Sequence, residues 1–141
     1  MAYNILIVDD SSPMRSVIKK TIKASGFKSG IFHDASDGRM ALEVLKENWI
    51  DLVLTDYNMP NMDGLQLIGE IKDDETLKDI PVVFVTTEGS TTRVKEFLEK
   101  GAAGYIQKPF TPEEIRQKLN NFLGEEDGQE FSNDSNEELD F

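Results

Sequence analysis

The 141-residue chain contains no cysteine, which excludes disulfide bonds and thiolate metal ligands. It also has no apolar run near the roughly 18 residues that a membrane-spanning helix requires, and its N-terminus lacks a signal-peptide pattern. We therefore expect a cytoplasmic protein with no membrane partner.

Basic residues are absent from positions 124–141, which carry eight of the 27 acidic residues. This segment supplies most of the net charge of −12, because the preceding residues hold 15 bases against the remaining acids. Neither part has the broad basic face that nucleic-acid phosphates require. We expect no nucleic-acid partner, and we interpret 1–123 as one domain and 124–141 as an acidic, disordered tail.

Short apolar runs alternate with helical patterns along the first 123 residues. The predicted strands are 4–8, 31–35, 51–55, 81–86 and 104–107, with a helical stretch after each. Three of these runs are almost wholly apolar, as in parallel strands covered on both faces, whereas polar residues interrupt the second run. The pattern predicts an α/β fold with a doubly wound, five-stranded parallel sheet and five helices.

Two helix starts carry local signals. Ser12 and Pro13 predict the start of the first helix, with Ser12 as the N-cap, and Gly26 predicts its end. Thr111 and Glu114 have the spacing of a capping box at the start of the fifth helix.

Polar residues end or directly follow four of the predicted strands: Asp9-Asp10, Asp56, Thr86 and Lys108. The carboxyl ends of parallel strands meet at one edge of the sheet, where ligands bind. Close carboxylates repel each other by about 4 kcal/mol per pair at an effective dielectric near 20. Mg²⁺, which prefers oxygen ligands, relieves this repulsion and can accept phosphate oxygens. The sequence thus predicts a magnesium site at which a carboxylate can act as a nucleophile toward phosphorus.

Two other residues are weaker candidates. His33 is the only histidine, and it lies on the second predicted strand away from these residues, so we interpret it as structural or exposed. We expect Trp49 to pack at the end of the second helix.

Four motifs together resemble the receiver domain of two-component response regulators, and within that family the chemotaxis regulators: VDD, LTDYNMPNMDG, VTTEG and YIQKPF. The resemblance covers residues 3–123. It implies a flavodoxin-like sheet with strand order 2-1-3-4-5.

The resemblance implies a role for each acid. Asp56 matches the phosphoacceptor, and Asp9 and Asp10 match the acidic pair that holds Mg²⁺. Asp56 and the backbone carbonyl of Asn58 complete the metal ligands, and Mn²⁺ is expected to substitute for Mg²⁺.

The remaining site residues are also carried over from the family. Lys108 matches the lysine that pairs with a phosphoryl oxygen, and its bond to Pro109 is expected to be cis. Thr86 matches the hydroxyl that moves toward the phosphoryl group, and Tyr105 the aromatic residue that changes rotamer with it. Asn58 and Glu88 match residues that modulate dephosphorylation.

The function implied is that of a stand-alone response regulator in chemotaxis or motility. It would accept a phosphoryl group from a histidine kinase and catalyse only that transfer and its own dephosphorylation. Its output would be protein binding, with a flagellar motor switch protein or similar target and a phosphatase as further partners. We expect a monomer.

The end of the tail, SNEELDF, is similar to the N-terminal peptide of the flagellar switch protein. The matching residues are Ser135, Glu137, Glu138, Leu139 and Asp140, with Phe141 as a terminal apolar anchor. Two interpretations stay open: a solvated acidic extension, or a segment that docks on the output face and competes with the target.

Three other functions are compatible with parts of the pattern. A phosphatase of the haloacid dehalogenase class would place D-x-D on the first strand, whereas the acids here are adjacent. In a flavodoxin-like cofactor carrier, acids at the first strand would repel the cofactor phosphate. A phosphorelay or scaffold receiver outside motility is the third, and a scaffold would be expected to lack one of the acids, the threonine or the lysine.

Overall fold

The computed structural model describes residues 2–123, which form five strands and five helices in strict alternation. The strands are β1 (Tyr3–Val8), β2 (Ser29–Ala35), β3 (Leu52–Thr55), β4 (Val82–Thr86) and β5 (Gly104–Gln107). The helices are α1 (Ser12–Ser25), α2 (Gly38–Glu47), α3 (Gly64–Lys72), α4 (Thr91–Glu99) and α5 (Pro112–Leu123). All strand pairs are parallel, in the order β2-β1-β3-β4-β5. The predicted fold class and strand order are confirmed.

The interrupted second strand is an edge strand, which explains its mixed composition. Only its last residue, Ala35, is buried, while His33 and Asp34 are partly exposed. The strand begins two residues earlier than predicted, because Ser29 pairs with Tyr3. The register between β1 and β2 shifts between Tyr3 and Ile5. By contrast, every residue of β3 and β4 is buried, as their continuous apolar sequences predict.

Two apolar clusters cover the two faces of the sheet. Alternate residues of β1 point to opposite faces, so Leu6 packs beneath α2, α3 and α4, and Ile7 packs beneath α1 and α5. On the first face, the rings of Phe84 and Phe97 stack with centroids 4.0 Å apart and join β4 to α4. This double covering fixes the strands and directs their carboxyl ends to a common edge.

The helix caps agree with the sequence at α5 and differ by one residue at α1. The N-cap of α1 is Ser11 rather than Ser12, because the Ser11 hydroxyl accepts a hydrogen bond from the Met14 amide. Gly26 ends this helix with a φ of 85°, a conformation that favours glycine. At α5, the Glu114 amide donates to the Thr111 hydroxyl at 3.1 Å, and the Thr111 amide donates to the Glu114 carboxylate at 2.8 Å. The predicted capping box is confirmed.

The expectation that Trp49 packs at the end of the second helix is wrong. Trp49 follows α2 but is 79% exposed, and its indole N–H donates to Asp51 at 3.0 Å. No helix among residues 2–123 is long and apolar enough to cross a membrane. The predicted tail, 124–141, with Glu137, Glu138, Leu139, Asp140 and Phe141, lies outside the described residues.

Candidate functional site

Three carboxylates meet at the carboxyl edge of the sheet. Asp9 and Asp10 follow β1 and Asp56 follows β3, and each offers an oxygen within 4.8 Å of those of the other two. Asp9 is 2% exposed, Asp56 is partly buried and Asp10 is exposed. The predicted acidic cluster is therefore present, with burial decreasing outward from Asp9.

Backbone hydrogen bonds place these acids. The Asp56 amide donates to the Val8 carbonyl at 2.9 Å, which fixes the end of β3 beside the end of β1. The Tyr57 amide donates to Asp56 Oδ1 at 2.7 Å, and the Ser11 amide donates to Asp9 Oδ1 at 2.8 Å. Each of these carboxylates thus has one oxygen held by its own loop and a second that faces the site.

Lys108 connects the two inner acids. Its Nζ lies 3.0 Å from Asp9 Oδ2 and 3.4 Å from Asp56 Oδ2, and its side chain is only 12% exposed. The Lys108 amide donates to the Thr86 carbonyl at 2.9 Å, and the Lys108–Pro109 bond is cis, as expected. Three carboxylates facing one ammonium leave two negative charges unbalanced, and oxygen ligands suit a divalent cation. The residues present therefore fit Mg²⁺.

The residues predicted to act as the switch and to modulate dephosphorylation lie on the segments around this cluster. Thr86 ends β4, is buried, and its hydroxyl accepts a hydrogen bond from the Glu88 amide at 3.2 Å. Asn58 lies exposed on the loop that follows Asp56, and Glu88 is partly buried on the loop that follows Thr86. Both loops leave the same edge of the sheet.

Tyr105 belongs to a neighbouring surface. It is partly buried on β5, with the Lys118 ammonium 5.4 Å from its ring centroid. A cavity of about 390 Å³ between β5 and α5 is lined by Tyr105, Lys108, Phe110 and Lys118, among others. Lys108, which follows β5, and Tyr105 on the outer face therefore line the same cavity.

Gly64 is a site residue that sequence reasoning missed, beyond marking a helix start. A side chain on Gly64 would collide with the Asp56 carbonyl oxygen and would come within 2.7 Å of the Phe84 ring. The Gly64 amide donates to the Tyr57 carbonyl at 2.9 Å. The first turn of α3 therefore packs directly on the backbone that carries Asp56, a contact that no sequence spacing reveals.

Arg15 is a second residue that was missed. Its guanidinium donates to the Asp9 carbonyl oxygen and forms an ion pair with Asp34 at 2.9 Å. Lys19 also pairs with Asp34. Burial raises the pKa of the Asp34 carboxyl, but hydrogen bonds and charge from Lys19 and Arg15 together lower it below its ordinary value. The four-residue spacing of the two bases on α1 was the available signal.

Asp37 shows a different cause of a lowered pKa. It is the N-cap of α2, and its carboxylate accepts hydrogen bonds from the Met40 amide and the Asn61 side chain, at 2.9 and 2.7 Å. These bonds favour the charged form, so the pKa of Asp37 lies below its ordinary value. The second bond ties the loop after β3 to α2, with Asn61 at a φ of 66°.

A flavodoxin-like sheet with an acidic, lysine-containing site at its carboxyl edge defines a class of α/β signalling domains. The chain belongs to the response regulator receiver domain family, whose model matches residues 5–120.

Individual relatives are named as chemotaxis proteins. The chain is 43% identical over 115 residues to chemotaxis protein CheY-3 of Vibrio cholerae, covering 82% of this chain and 87% of that protein. It is similar to the structure of chemotaxis response regulator CheY4 of Vibrio cholerae, with a TM-score of 0.78 and 31% identity over 87% of this chain and all of that one. It is also similar to a structure of the CheX-CheY-BeF₃-Mg²⁺ complex from Borrelia burgdorferi, with a TM-score of 0.76 and 31% identity over 84% and 87%.

These findings confirm a response regulator of a two-component system, of the chemotaxis type. The chain is a signalling protein, and receiver domains bind Mg²⁺. The phosphorelay or scaffold alternative outside motility is not favoured, because the curated relatives are named chemotaxis proteins.

Proposed function

We propose that Asp56 accepts a phosphoryl group from a histidine kinase and that the phosphorylated protein signals by binding a target protein. The observation that carries this proposal is the pairing of Lys108 with both Asp9 and Asp56 inside a cluster of three acids. The arrangement places the nucleophilic carboxylate of Asp56 beside the Lys108 ammonium, at the edge of the sheet where a phosphodonor can approach.

The metal ligands are assigned by residue type and position. Asp9, Asp10, Asp56 and the backbone carbonyl of Asn58 would hold Mg²⁺, and Mn²⁺ would substitute because it takes the same oxygen ligands. When bound, the ion supplies charge neutralisation for phosphoryl oxygens.

The protein residues then act around the transfer. An oxygen of Asp56 forms the new bond to phosphorus, while the bond from phosphorus to the imidazole nitrogen of the kinase breaks and that nitrogen keeps the electron pair. Lys108 pairs with a phosphoryl oxygen. In dephosphorylation, a water oxygen forms a bond to phosphorus while the bond from phosphorus to the Asp56 oxygen breaks, which restores the carboxylate and releases inorganic phosphate. Asn58 and Glu88 modulate the approach of this water from the two adjoining loops.

Phosphorylation adds a charge of about −1.5 to −2, which is the signal. The Thr86 hydroxyl is a neutral donor that can move to a phosphoryl oxygen, and Tyr105 changes rotamer as it does so. The resulting change in the face formed by α4, β5 and α5 sets partner affinity. Support for this route comes from the cavity that runs from Lys108 to Tyr105.

The partners follow from the relatives. Those named chemotaxis proteins support a flagellar motor switch protein or a similar target, and the CheX complex of the Borrelia protein supports a further regulatory partner, which we assign as a phosphatase. We also propose a cytoplasmic monomer, with a receiver domain over 1–123.

The test is exposure to a small-molecule phosphodonor with Mg²⁺, followed by intact mass measurement. The wild type should gain one phosphoryl group, and Asp56→Asn should gain none. Asp79→Asn removes an exposed acid just before β4, away from the carboxyl edge, and should behave as the wild type. Equal gain by wild type and Asp56→Asn would assign the acceptor to another residue.

We further propose that the tail, 124–141, docks on the output face and competes with the target. Its similarity to a switch-protein peptide supports this, and tethering gives even a weak peptide an effective concentration of about 1 mM. Removal of residues 125–141 should tighten binding to a motor-type peptide. Unchanged affinity would favour the solvated extension instead.

A further inference from the structure

Arg93, on the first turn of α4, joins three segments around the candidate site. Its Nε lies 3.7 Å from a Glu88 carboxylate oxygen, and its Nη1 lies 2.6 Å from Glu96. Its guanidinium carbon lies 4.3 Å from the centroid of the Tyr57 ring. One side chain therefore contacts α4, the loop after β4 and the loop after β3.

The two loop contacts of Arg93 are adjacent to the proposed chemistry. Tyr57 directly follows Asp56, and its amide holds Asp56 Oδ1. Glu88 is two residues beyond Thr86, and its amide donates to the Thr86 hydroxyl. The Tyr57 ring also packs on the buried Phe97 of α4, with ring centroids 5.9 Å apart, so the surface on which Arg93 stacks is fixed.

These contacts restrict how Thr86 can move. If its hydroxyl shifts toward a phosphoryl group on Asp56, either the bond from the Glu88 amide breaks or the loop after β4 shifts with it. A loop shift must also displace the Glu88 carboxylate from Arg93, which is anchored on Tyr57 and Glu96. The ion pair therefore opposes the movement in which the loop after β4 shifts with Thr86.

We propose that Arg93 is a positioning residue that holds the loop after β4, and through Glu88 the Thr86 hydroxyl, in the arrangement seen here. This proposal rests on the function proposed above, in which Thr86 moves toward the phosphoryl group. Loss of the Arg93–Glu88 pair shifts the equilibrium toward the displaced arrangement, so the site binds a phosphoryl mimic more tightly.

The size of the effect follows from the exposure of the partners. The side chains of Arg93 and Glu88 are 31% and 40% exposed, so solvent screens the pair. Exposed ion pairs and cation–π contacts each contribute enough to change an equilibrium by roughly two- to fivefold. We expect Arg93→Gln to tighten binding by about three- to fivefold.

The test is titration of the full chain with beryllium fluoride in saturating Mg²⁺, followed by amide NMR. Arg93→Gln is compared with Lys95→Gln, which makes the same charge change at an exposed position two residues along α4. The first variant should bind three- to fivefold more tightly than wild type and the second should not. Arg93→Lys, which keeps the charge, should fall between Arg93→Gln and wild type.

Two further readouts separate positioning from a general structural role. Before any titrant is added, the Thr86 and Glu88 amide signals of Arg93→Gln should lie part of the way toward their positions in the saturated wild type. In a Glu88→Gln background, Arg93→Gln should not change the affinity further, because the ion pair through which Arg93 acts is already absent.

The possible results distinguish failure of the Arg93 proposal from failure of the proposed function. Equal affinities for Arg93→Gln and Lys95→Gln, or a full Arg93 effect in the Glu88→Gln background, would overturn the role of Arg93 and leave Asp56 as the acceptor. A wild type that does not respond to beryllium fluoride with Mg²⁺ would overturn both proposals, and the phosphodonor experiment would then show the same failure.

Discussion

Acidic residues have opposite environments at the two edges of the sheet. At the amino edge, Asp51 accepts hydrogen bonds from the Asn4 amide at 2.8 Å and the Trp49 indole at 3.0 Å. Both of these partners are neutral donors. At the carboxyl edge, Asp9, Asp10 and Asp56 lie close together, and Lys108 pairs with Asp9 and Asp56. The first arrangement stabilises the fold, whereas the second keeps unbalanced charge that only a ligand can satisfy.

Acids that stabilise the fold and acids that serve the site have different partners. A carboxylate that accepts bonds from neutral donors is satisfied within the chain, so removing it leaves donors without a partner. A carboxylate among other carboxylates is in conflict with its neighbours until a cation binds. Removal of a carboxylate charge should therefore change the free energy of unfolding with opposite sign at the two edges.

The largest effect is expected where the carboxyl edge is packed against a helix. Gly64→Ala should lower the free energy of unfolding by about 2–3 kcal/mol, since the new methyl group meets the Asp56 backbone and the Phe84 ring. Gly69→Ala, in the same helix with open space around it, should raise it by about 0.5–1 kcal/mol. Chemical denaturation measures the free energy of unfolding of both variants. A Gly64→Ala protein as stable as the wild type would show that the backbone around Asp56 can shift to accommodate the methyl group.

At the amino edge, Asp51→Ala should lower the free energy of unfolding by about 1–2 kcal/mol, because two donors lose their acceptor. Its Mg²⁺ affinity should stay unchanged, since the substitution lies at the other end of the sheet. Asp79→Ala, at an exposed acid of the same edge, is the matched control and should leave both quantities unchanged. If Asp51→Ala were as stable as the wild type, the proposed contrast between the two edges would be wrong.

Asp10→Asn should act in the other direction. Without Mg²⁺, it should raise the free energy of unfolding by about 0.5–1 kcal/mol at low salt, because one of three mutually repelling carboxylates loses its charge. With Mg²⁺, this advantage should disappear as the variant loses affinity for the ion. Denaturation at several Mg²⁺ concentrations tests this, and destabilisation of the metal-free variant would contradict the picture of unbalanced charge.

The smallest effect concerns Asp34, whose charge is balanced by Arg15 and Lys19. Since the pKa of Asp34 lies below its ordinary value of 3.8, the folded state binds its proton more weakly than the unfolded state. The stability it contributes is therefore present above pH 3.8 and is lost as the pH falls through the lowered pKa. Asp34→Asn should cost less than about 1 kcal/mol at neutral pH, because Asp34 is partly exposed.

The Asp34 prediction is checked by denaturation of wild type and Asp34→Asn between pH 7 and pH 2. The difference in free energy of unfolding between the two proteins should stay constant above pH 3.8 and narrow below it. A constant difference would mean that the charge of Asp34 is not what stabilises the protein.

The apolar runs and their spacing were sufficient to predict the elements of this fold. A residue such as Leu54 lies in a run that only a strand covered on both faces can bury, and Thr111 with Glu114 is a local signal that the structure reproduces. The edge strand was harder, because one side of β2 has no neighbouring strand and its polar residues weaken the pattern. Trp49 was misplaced because an aromatic residue after a helix carries no information about what covers it.

Strand periodicity and polar endings are local properties, so the sequence alone was enough to place acids, a threonine and a lysine at the ends of strands. Which of their atoms meet depends on the tertiary structure. The contacts of Lys108 with Asp9 and Asp56 and of Arg93 with the Tyr57 ring join residues distant in the chain. The packing of Gly64 on the Asp56 backbone depends on where α3 is placed. Such contacts depend on how helices pack against the sheet, and packing is set by the shape of the whole core rather than by any local pattern.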